Sequence, residues 1–239
     1  MLKIYACEES LINCFHCIGK DRCSQFRYTT EMFDDFDTIE SPMSLEEIYI
    51  KGDVTMAVSL KKNEAITLAK SLKKVIFSIE WQTEIDMDIH ALILKDGKAL
   101  VDNDFIFYGN LKHPNGCVAH SGDIRNGCLN SVGTEDETIT VDLSKIPADR
   151  DEVLFTADIY NASLLGLDFT DAVGSVCKMI DADTGVVLAE YKLDRDLSGE
   201  VCCKVGRLIK HRDIWKFEAL GQGVNSLAGI LTAAGLAVE

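Results

Sequence analysis

The residues best suited to bind a ligand are acids, which recur in four short clusters between residues 84 and 137. Each cluster lies at the end of a short apolar run or within one. Carboxylates that converge at one corner of a sheet repel each other, and calcium relieves that repulsion because it binds about six to eight oxygens. Acidic side chains are also commonly exposed, so a set of solvated turns is the alternative. The candidate ligands are Asp86, Asp88, Asp102, Asp104, Asp123, Glu135, Asp136 and Glu137.

The spacing within two of these clusters predicts a shared side-chain direction. Asp86 and Asp88 stand two positions apart, as do Asp102 and Asp104, and in a strand such residues point to the same face of the sheet. Two such pairs on neighbouring strands would bring their carboxylates close enough to share a cation. Without a cation, the cluster would raise the pKa of at least one carboxyl. The alternative is that each pair lies on a solvated face and never meets the other.

The N-terminal region carries a second candidate metal site, formed by cysteines. Cys7, Cys14, Cys17 and Cys23 follow the pattern C-x6-C-x2-C-x5-C, with His16 inside the central C-x2-C. Two thiolates at that central spacing can chelate one zinc ion. The flanking spacings match no strong zinc template, so free thiols that fill a small core are the alternative. The cysteines therefore indicate either a zinc or redox site or an ordinary apolar cluster.

Motifs for catalysis are lacking in the sequence. No serine or cysteine stands in a nucleophile elbow, and neither a phosphate-binding loop nor a dinucleotide-binding fingerprint is present. Paired carboxylates can hydrolyse glycosides, but no aromatic sugar-binding platform accompanies them here. The sequence therefore predicts a protein that is not an enzyme.

The elements that must position these residues are mostly strands. From residue 57 onward apolar residues recur with a period of two, as in Val75, Phe77 and Ile79, which is typical of strands that bury one face. Many short strands separated by turns indicate an all-β fold, a β-sandwich of two mostly antiparallel sheets. Ser226 or Asn225 can cap a C-terminal helix that extends to Leu236. Further strands are expected near residues 87–93, 139–143, 153–159, 173–180, 186–191, 201–209 and 215–220, with a hairpin turn at 181–185.

Composition describes a globular protein with a strong negative charge. The 239 residues are 47% hydrophobic and carry a formal net charge of −15, and this acidity argues against nucleic-acid binding, which needs a basic surface. The chain shows neither a secretory leader nor an apolar stretch long enough for a transmembrane segment. Nine cysteines without a leader favour reduced thiols and a cytoplasmic location. A composition change near Gly52 suggests a cysteine-containing extension over residues 1–54 and a β-sandwich domain over 55–239.

Several segments, beginning with I-D-M-D-I-H-A at residues 85–91 and including H-S-G-D-I-R-N-G at residues 120–127, resemble in order the motifs of the TerD family of tellurium-resistance and calcium-binding stress proteins. Residues 120–127, H-S-G-D-I-R-N-G, are similar to the family's H-T-G-D-N-R-T-G, and residues 135–139 follow as E-D-E-T-I where the family has D-D-E-S-I. Residues 85–91, 104–112, 141–149 and 215–223 resemble F-D-L-D-A-S-A, D-F-V-F-Y-N-N-L-K, V-D-L-S-K-V-P-A-D and W-K-F-x-A-x-G-Q-G. The resemblance extends from about residue 57 to the C-terminus, and residues 1–54 are an atypical addition to it.

The resemblance implies a calcium-binding, non-enzymatic module of the tellurite or chemical-stress resistance type, with a protein partner in a stress-response complex. The chain departs from the family pattern at Ile124, which replaces an asparagine and removes an oxygen donor. The segment between Gly127 and Glu135 is longer than the family's and has fewer glycines, which would otherwise let carbonyls turn toward an ion. Two alternatives remain open: a metal-free TerD-like interaction module, and a zinc or redox sensor that acts through the N-terminal cysteines.

Overall fold

Two six-stranded sheets pack face to face. The structure, a computed structural model, describes residues 57–125, 137–193 and 197–238. In the first sheet the order is β1-β10-β9-β3-β7-β6, and every pairing is antiparallel except that of β1 with β10. Its strands are β1 (Val58–Ser59), β3 (Lys74–Glu80), β6 (Val118–His120), β7 (Glu137–Asp142), β9 (Val176–Asp181) and β10 (Val187–Lys192).

The second sheet is antiparallel throughout and has the order β2-β12-β11-β8-β4-β5. A short helix, α1 (Ala162–Leu165), follows β8, and a second helix, α2 (Leu227–Ala233), follows β12. The strands are β2 (Ala65–Thr67), β4 (Met87–Leu94), β5 (Phe105–Ile106), β8 (Glu152–Ile159), β11 (Cys202–His211) and β12 (Ile214–Val224). The all-β sandwich with a short C-terminal helix is therefore confirmed.

The main core lies between the sheets and is built from the alternating apolar positions. Phe77 of β3 stacks on Phe155 of β8 across the sandwich, with ring centroids 4.2 Å apart. Val75 and Ile79 share the face of Phe77 and are completely buried, as the period of two predicts. Burial of this apolar surface is the main stabilising contribution to such a fold.

A smaller core covers the outer face of the second sheet, where α2 packs. Leu92 and Leu94 of β4 lie on this face with Leu154 of β8, and all three are buried with Ile230 and Leu231 of the helix. Strand β4 is consequently buried on both faces. The sequence pattern predicted only one buried face for this strand. The helix that covers its second face is more than a hundred residues away in the chain, so the local pattern did not indicate it.

The local signals at the helix and at the hairpin are confirmed, with a shorter helix than expected. Ser226 caps α2 by accepting a hydrogen bond from the backbone N–H of Gly229 at 3.1 Å. The helix ends at Ala233, before Leu236, because Gly235 adopts a left-handed φ of 88° that turns the chain. Strands β9 and β10 form the predicted antiparallel hairpin around Gly185.

The prediction that Asp102 and Asp104 lie in a strand and point to the same face is wrong. These residues form a 3-10 turn, Asp102–Asp104, between β4 and β5. The turn separates the directions of their side chains: Asp104 is completely buried and Asp102 is exposed. Short acidic segments fit turns as readily as strands, and the spacing alone did not distinguish them.

Candidate metal centre

Three of the predicted acids converge where the edges of the two sheets meet. One carboxylate oxygen each from Asp88, Asp123 and Glu137 lies within 4.8 Å of the others. Asp88 belongs to β4 of the second sheet, Glu137 begins β7 of the first sheet, and Asp123 follows β6. We call these three residues the acid cluster. It is the one group of three or more potential ligands of this kind found within the described ranges.

Glu137 is fixed by two backbone donors. Its Oε2 accepts from the N–H of Ile89 at 3.0 Å, and its Oε1 accepts from the N–H of Ile124 at 2.9 Å. The N–H of Ile89 is available because β5 pairs with β4 only at Ala91 and Leu92, so no strand of the described residues lies beside the β4 edge at Ile89. A completely buried glutamate thus replaces a missing strand at this edge.

His120 satisfies the carbonyl of the same peptide edge. Its Nε2 lies 2.9 Å from the carbonyl oxygen of Ile89, and its Nδ1 accepts from the N–H of Gly122 at 2.9 Å. Because Nδ1 accepts, the ring proton lies on Nε2 and the imidazole is neutral. Burial lowers the pKa of His120, which favours the same state. Both ring nitrogens are therefore engaged in positioning the loop that carries Asp123.

Asp88 has no comparable support. Only 6% of its surface is exposed, and within the described ranges its carboxylate accepts no hydrogen bond. Burial raises the pKa of Asp88 to about 6; the nearby His90 acts in the opposite direction, and the negative charges of Asp158, Asp86 and Asp123 add to the rise. Such a group is stabilised by a cation, because a positive charge offsets both the desolvation and the repulsion.

The pKa of Glu137 is raised by the same two effects, burial and repulsion between neighbouring carboxylates. Burial raises the pKa of its carboxyl to about 8, although the hydrogen bonds from Ile124 and Ile89 act in the opposite direction. Asp88 and Asp123 contribute further repulsion. The acid cluster is therefore a set of carboxylates held close together without enough positive charge among the described residues to balance them.

Asp86 lies beside the acid cluster and outside it. Its Oδ1 is buried without a hydrogen-bond partner in the described part of the chain. Burial raises its pKa first, followed by the charges of Asp123 and Asp158, while Arg125 lowers it. Asp86 is placed to adjust the charge of the cluster, and it is not one of the three oxygens within 4.8 Å.

Asp104 has a charge partner elsewhere in the fold, although its Oδ1 is buried without a hydrogen-bond partner in the described part of the chain. Its Oδ2 accepts from Nη2 of Arg150 at 2.8 Å and from the backbone N–H groups of Leu100 and Val101 at 2.9 and 3.1 Å. We call this set the Asp104–Arg150 pair. Neither Asp104 nor Asp102 joins the acid cluster, so the expectation that both acidic pairs share one site is wrong.

Other predicted ligands lie outside the described residues. They are Glu135, Asp136, Cys7, Cys14, Cys17 and Cys23, and their roles stay predictions.

Sequence reasoning missed Asp158, which extends the negative surface. Asp158 of β8 stands directly opposite Asp88 in the β4–β8 register, and its Oδ1 lies 2.6 Å from Nε2 of His90. It is the one acid in the run from Val153 to Ile159, where every second residue is apolar. An acid at the end of a strand was the available signal, but the register that brings it to Asp88 could not be predicted from the sequence.

Comparison with known proteins places the chain in a family. The profile described as TerD domain matches residues 56–233. Tellurium resistance protein TerD of an Alcaligenes species is 33% identical over 192 residues, which cover 76% of this chain and 98% of that protein. General stress protein 16U of Bacillus subtilis (strain 168) is 34% identical over 195 residues, which cover 77% of this chain and 100% of that protein.

The fold is also shared with solved structures. The crystal structure of a homologue of telluride resistance protein (TerD) from Streptomyces coelicolor A3(2) superposes with a TM-score of 0.54 at 18% identity, and covers 67% of this chain and 95% of its own. The family profile spans most of the chain, and the relatives carry the names of tellurium-resistance and general stress proteins. The chain therefore belongs to the TerD domain family.

Proposed function

We propose that the protein is a non-enzymatic, calcium-binding module of a cytoplasmic chemical-stress response, and that the acid cluster holds the ion. The observation that carries the proposal is Asp88, a buried carboxylate without a hydrogen-bond donor among the described residues, aimed at two further carboxylates. A hard divalent cation is the ligand that such a set of oxygens prefers. The names of the relatives supply the stress context.

The dimensions of the acid cluster suit calcium. Calcium–oxygen distances of about 2.3–2.6 Å allow one ion to contact oxygens that lie up to about 5 Å apart. The three carboxylate oxygens lie within 4.8 Å of one another. Backbone carbonyls and water would complete the coordination, since calcium accepts a mixed and flexible set of oxygens.

Calcium would act by fastening the edge of the sandwich. Asp123 and Glu137 stand at the two ends of the segment 124–136, and Asp88 belongs to the opposite sheet. One ion that contacts all three would join the ends of that segment and tie it to β4. We infer that this edge, once fastened, is presented to a protein partner in the stress response.

Calorimetry tests the calcium site directly. Calcium should bind the wild-type protein and raise its melting temperature, because a ligand that binds only the folded state stabilises it. Asp123→Asn should weaken binding, and Asp102→Asn, which removes the same charge from an exposed acid outside the cluster, should not. Equal calcium binding by both variants would contradict the assignment of the acid cluster.

A metal-free interaction module is the second candidate, and one contact favours it. Nε of Arg125 lies 3.3 Å from Oδ2 of Asp123, so a protein cation already offsets part of the charge. In this alternative Arg125 is the resident counter-ion and added calcium has no effect on the melting temperature.

The described residues include no helix that is both long and apolar enough to cross a membrane.

A further inference from the structure

A groove on the outer face of the second sheet lies between the two helices. Its volume is about 340 Å³, and we call it the α1–α2 groove. Asn161 and Leu164 line one side and Ser226 and Leu227 the other, with Cys202 of β11 among the residues that complete it. The groove thus continues the apolar layer under α2, of which Cys202 and Leu227 are part.

The lining of the α1–α2 groove carries one charge. Asp158 is its single acid, and no basic residue is among the side chains that line it. The remaining polar side chains of the lining are neutral asparagines and serines. Negative charge continues beyond the groove, since Asp86 and Asp88 lie close enough to Asp158 for their pKa values to be raised by it.

Asp158 is held in place and keeps one oxygen for a ligand. Nε2 of His90 lies 2.6 Å from its Oδ1, and His90 is itself buried. No described residue donates a hydrogen bond to Oδ2, and a quarter of the side chain, 25%, is exposed. The carboxylate is therefore pre-oriented by one neighbour, while its second oxygen is available to a donor from outside.

Exposed apolar residues line the groove or stand next to its lining in the chain. Leu164 of the lining is 81% exposed, and its chain neighbours outside the lining, Leu165 and Tyr160, are 62% and 51% exposed. Exposed leucine and tyrosine side chains are typical of surfaces that contact other proteins. Apolar surface beside one carboxylate suits a side chain with a long aliphatic stem and a positive end, which is the chemistry of lysine and arginine.

We propose that the α1–α2 groove receives a lysine or arginine side chain from a basic segment of a partner protein. Asp158 is the ion-pair acceptor, Leu164 and Leu227 contact the aliphatic stem, and Tyr160 and Leu165 contact the neighbouring residues of the partner. Charge complementarity decides the occupant, because the protein carries a net charge of −15 and the groove offers a carboxylate and no cation. This inference does not depend on calcium binding.

The probe is a short acetylated peptide of alternating leucine and lysine, titrated into the full chain in EGTA and followed by NMR. A matched peptide with glutamate in place of lysine is the control for apolar contact. We expect the lysine peptide to shift the amide resonances of Asp158, Leu164 and Leu227, and the glutamate peptide to leave them unchanged. Affinity for the lysine peptide should fall as salt is added, because the ion pair is partly exposed.

Two pairs of variants separate docking from general attraction to an acidic protein. Asp158→Asn should lower the affinity about tenfold, the effect of losing one hydrogen bond to a charged group, while Asp102→Asn, with the same loss of charge, should change it less than about twofold. Leu164→Ser should lower the affinity about threefold or more, and Val173→Ser, at an exposed apolar residue outside the groove lining, should not.

The proposal is overturned if neither peptide binds, if the glutamate peptide binds as well as the lysine peptide, or if the matched variants behave alike. Leu164 is so exposed that its replacement leaves the fold intact, which keeps the test valid even if Asp158→Asn disturbs His90. Failure of the calcium titration leaves this result unaffected, since the peptide experiment contains no free calcium.

Discussion

The acid cluster and the Asp104–Arg150 pair show two ways of burying carboxylates in one fold. Asp104 is completely buried and receives a guanidinium and two backbone N–H groups. Asp88 is almost as buried and receives no hydrogen bond within the described ranges. A carboxylate with a resident cation is part of the framework, whereas one without it is suited to a cation from solution. The difference separates structural acids from candidate ligands that look alike in sequence.

Removing the resident cation should produce the largest effect. Arg150→Met leaves Asp104 buried and without its charge partner, so we expect a loss of about 3–5 kcal/mol in the free energy of unfolding. Urea denaturation measures it. Asp104→Asn in the same background should restore part of the stability, because the uncompensated charge is then gone. An exposed ion pair contributes about 1 kcal/mol or less. A loss below about that value would show that the Asp104–Arg150 pair is not part of the framework.

The opposite behaviour is expected at the acid cluster. Asp88→Asn should raise the free energy of unfolding in EGTA by about 1–2 kcal/mol, because the substitution removes a desolvated and repelled charge. The same variant should lose most of the stabilisation that calcium gives the wild type. Paired urea titrations in EGTA and in calcium measure both effects. Destabilisation in EGTA would mean that Asp88 has a partner in the native protein and resembles Asp104.

The sequence predicted the sandwich but not which acids lie together. Period-two runs such as Val75, Phe77 and Ile79 indicate a buried face by themselves, because that information is local. Whether Asp104 or Asp88 is compensated depends on Arg150 and on the unpaired edge at Ile89, and both are tertiary features. The resemblance of residues 104–112 to a family motif did not distinguish a structural aspartate from a ligand.

The stability contributed by the acid cluster should also depend on pH. Glu137 has a pKa raised to about 8 in the folded protein, well above the ordinary value near 4.3 of an unfolded chain. The folded state then binds more protons than the unfolded state, so stability in EGTA falls as pH rises from about 7 to 8, by up to about 1.4 kcal/mol per pH unit. His120 contributes little in this window, since burial lowers its pKa in the folded protein and an unfolded imidazole is mostly neutral above about pH 7.

Calcium should remove that dependence, because a calcium-bound Glu137 is ionised in the folded state as it is in the unfolded state. The ion competes with protons for Glu137, so the stabilisation by calcium should grow as pH rises through the same window. Melting temperatures at several pH values, with calcium and with EGTA, measure the difference. In the Asp88→Asn variant the stabilisation by calcium should be small at every pH. A stability in EGTA that rises with pH from about 7 to 8 would contradict the burial of Glu137 with a raised pKa.

The smallest effect is expected where the acid cluster has its own arginine. Arg125 contacts Asp123 as Arg150 contacts Asp104, but its side chain is 81% exposed, compared with 7% for Arg150. An exposed ion pair contributes about 0–1 kcal/mol, so Arg125→Gln should leave the free energy of unfolding in EGTA nearly unchanged.

The same substitution, Arg125→Gln, should raise calcium affinity about twofold to fivefold. It removes a competing positive charge, and a nearby unit charge in water contributes about 1 kcal/mol. Calorimetry in low salt measures this gain, and added salt should reduce it. A large loss of stability with no gain in calcium affinity would make Arg125 the resident counter-ion, and the acid cluster would then be a second structural pair of the Asp104–Arg150 kind.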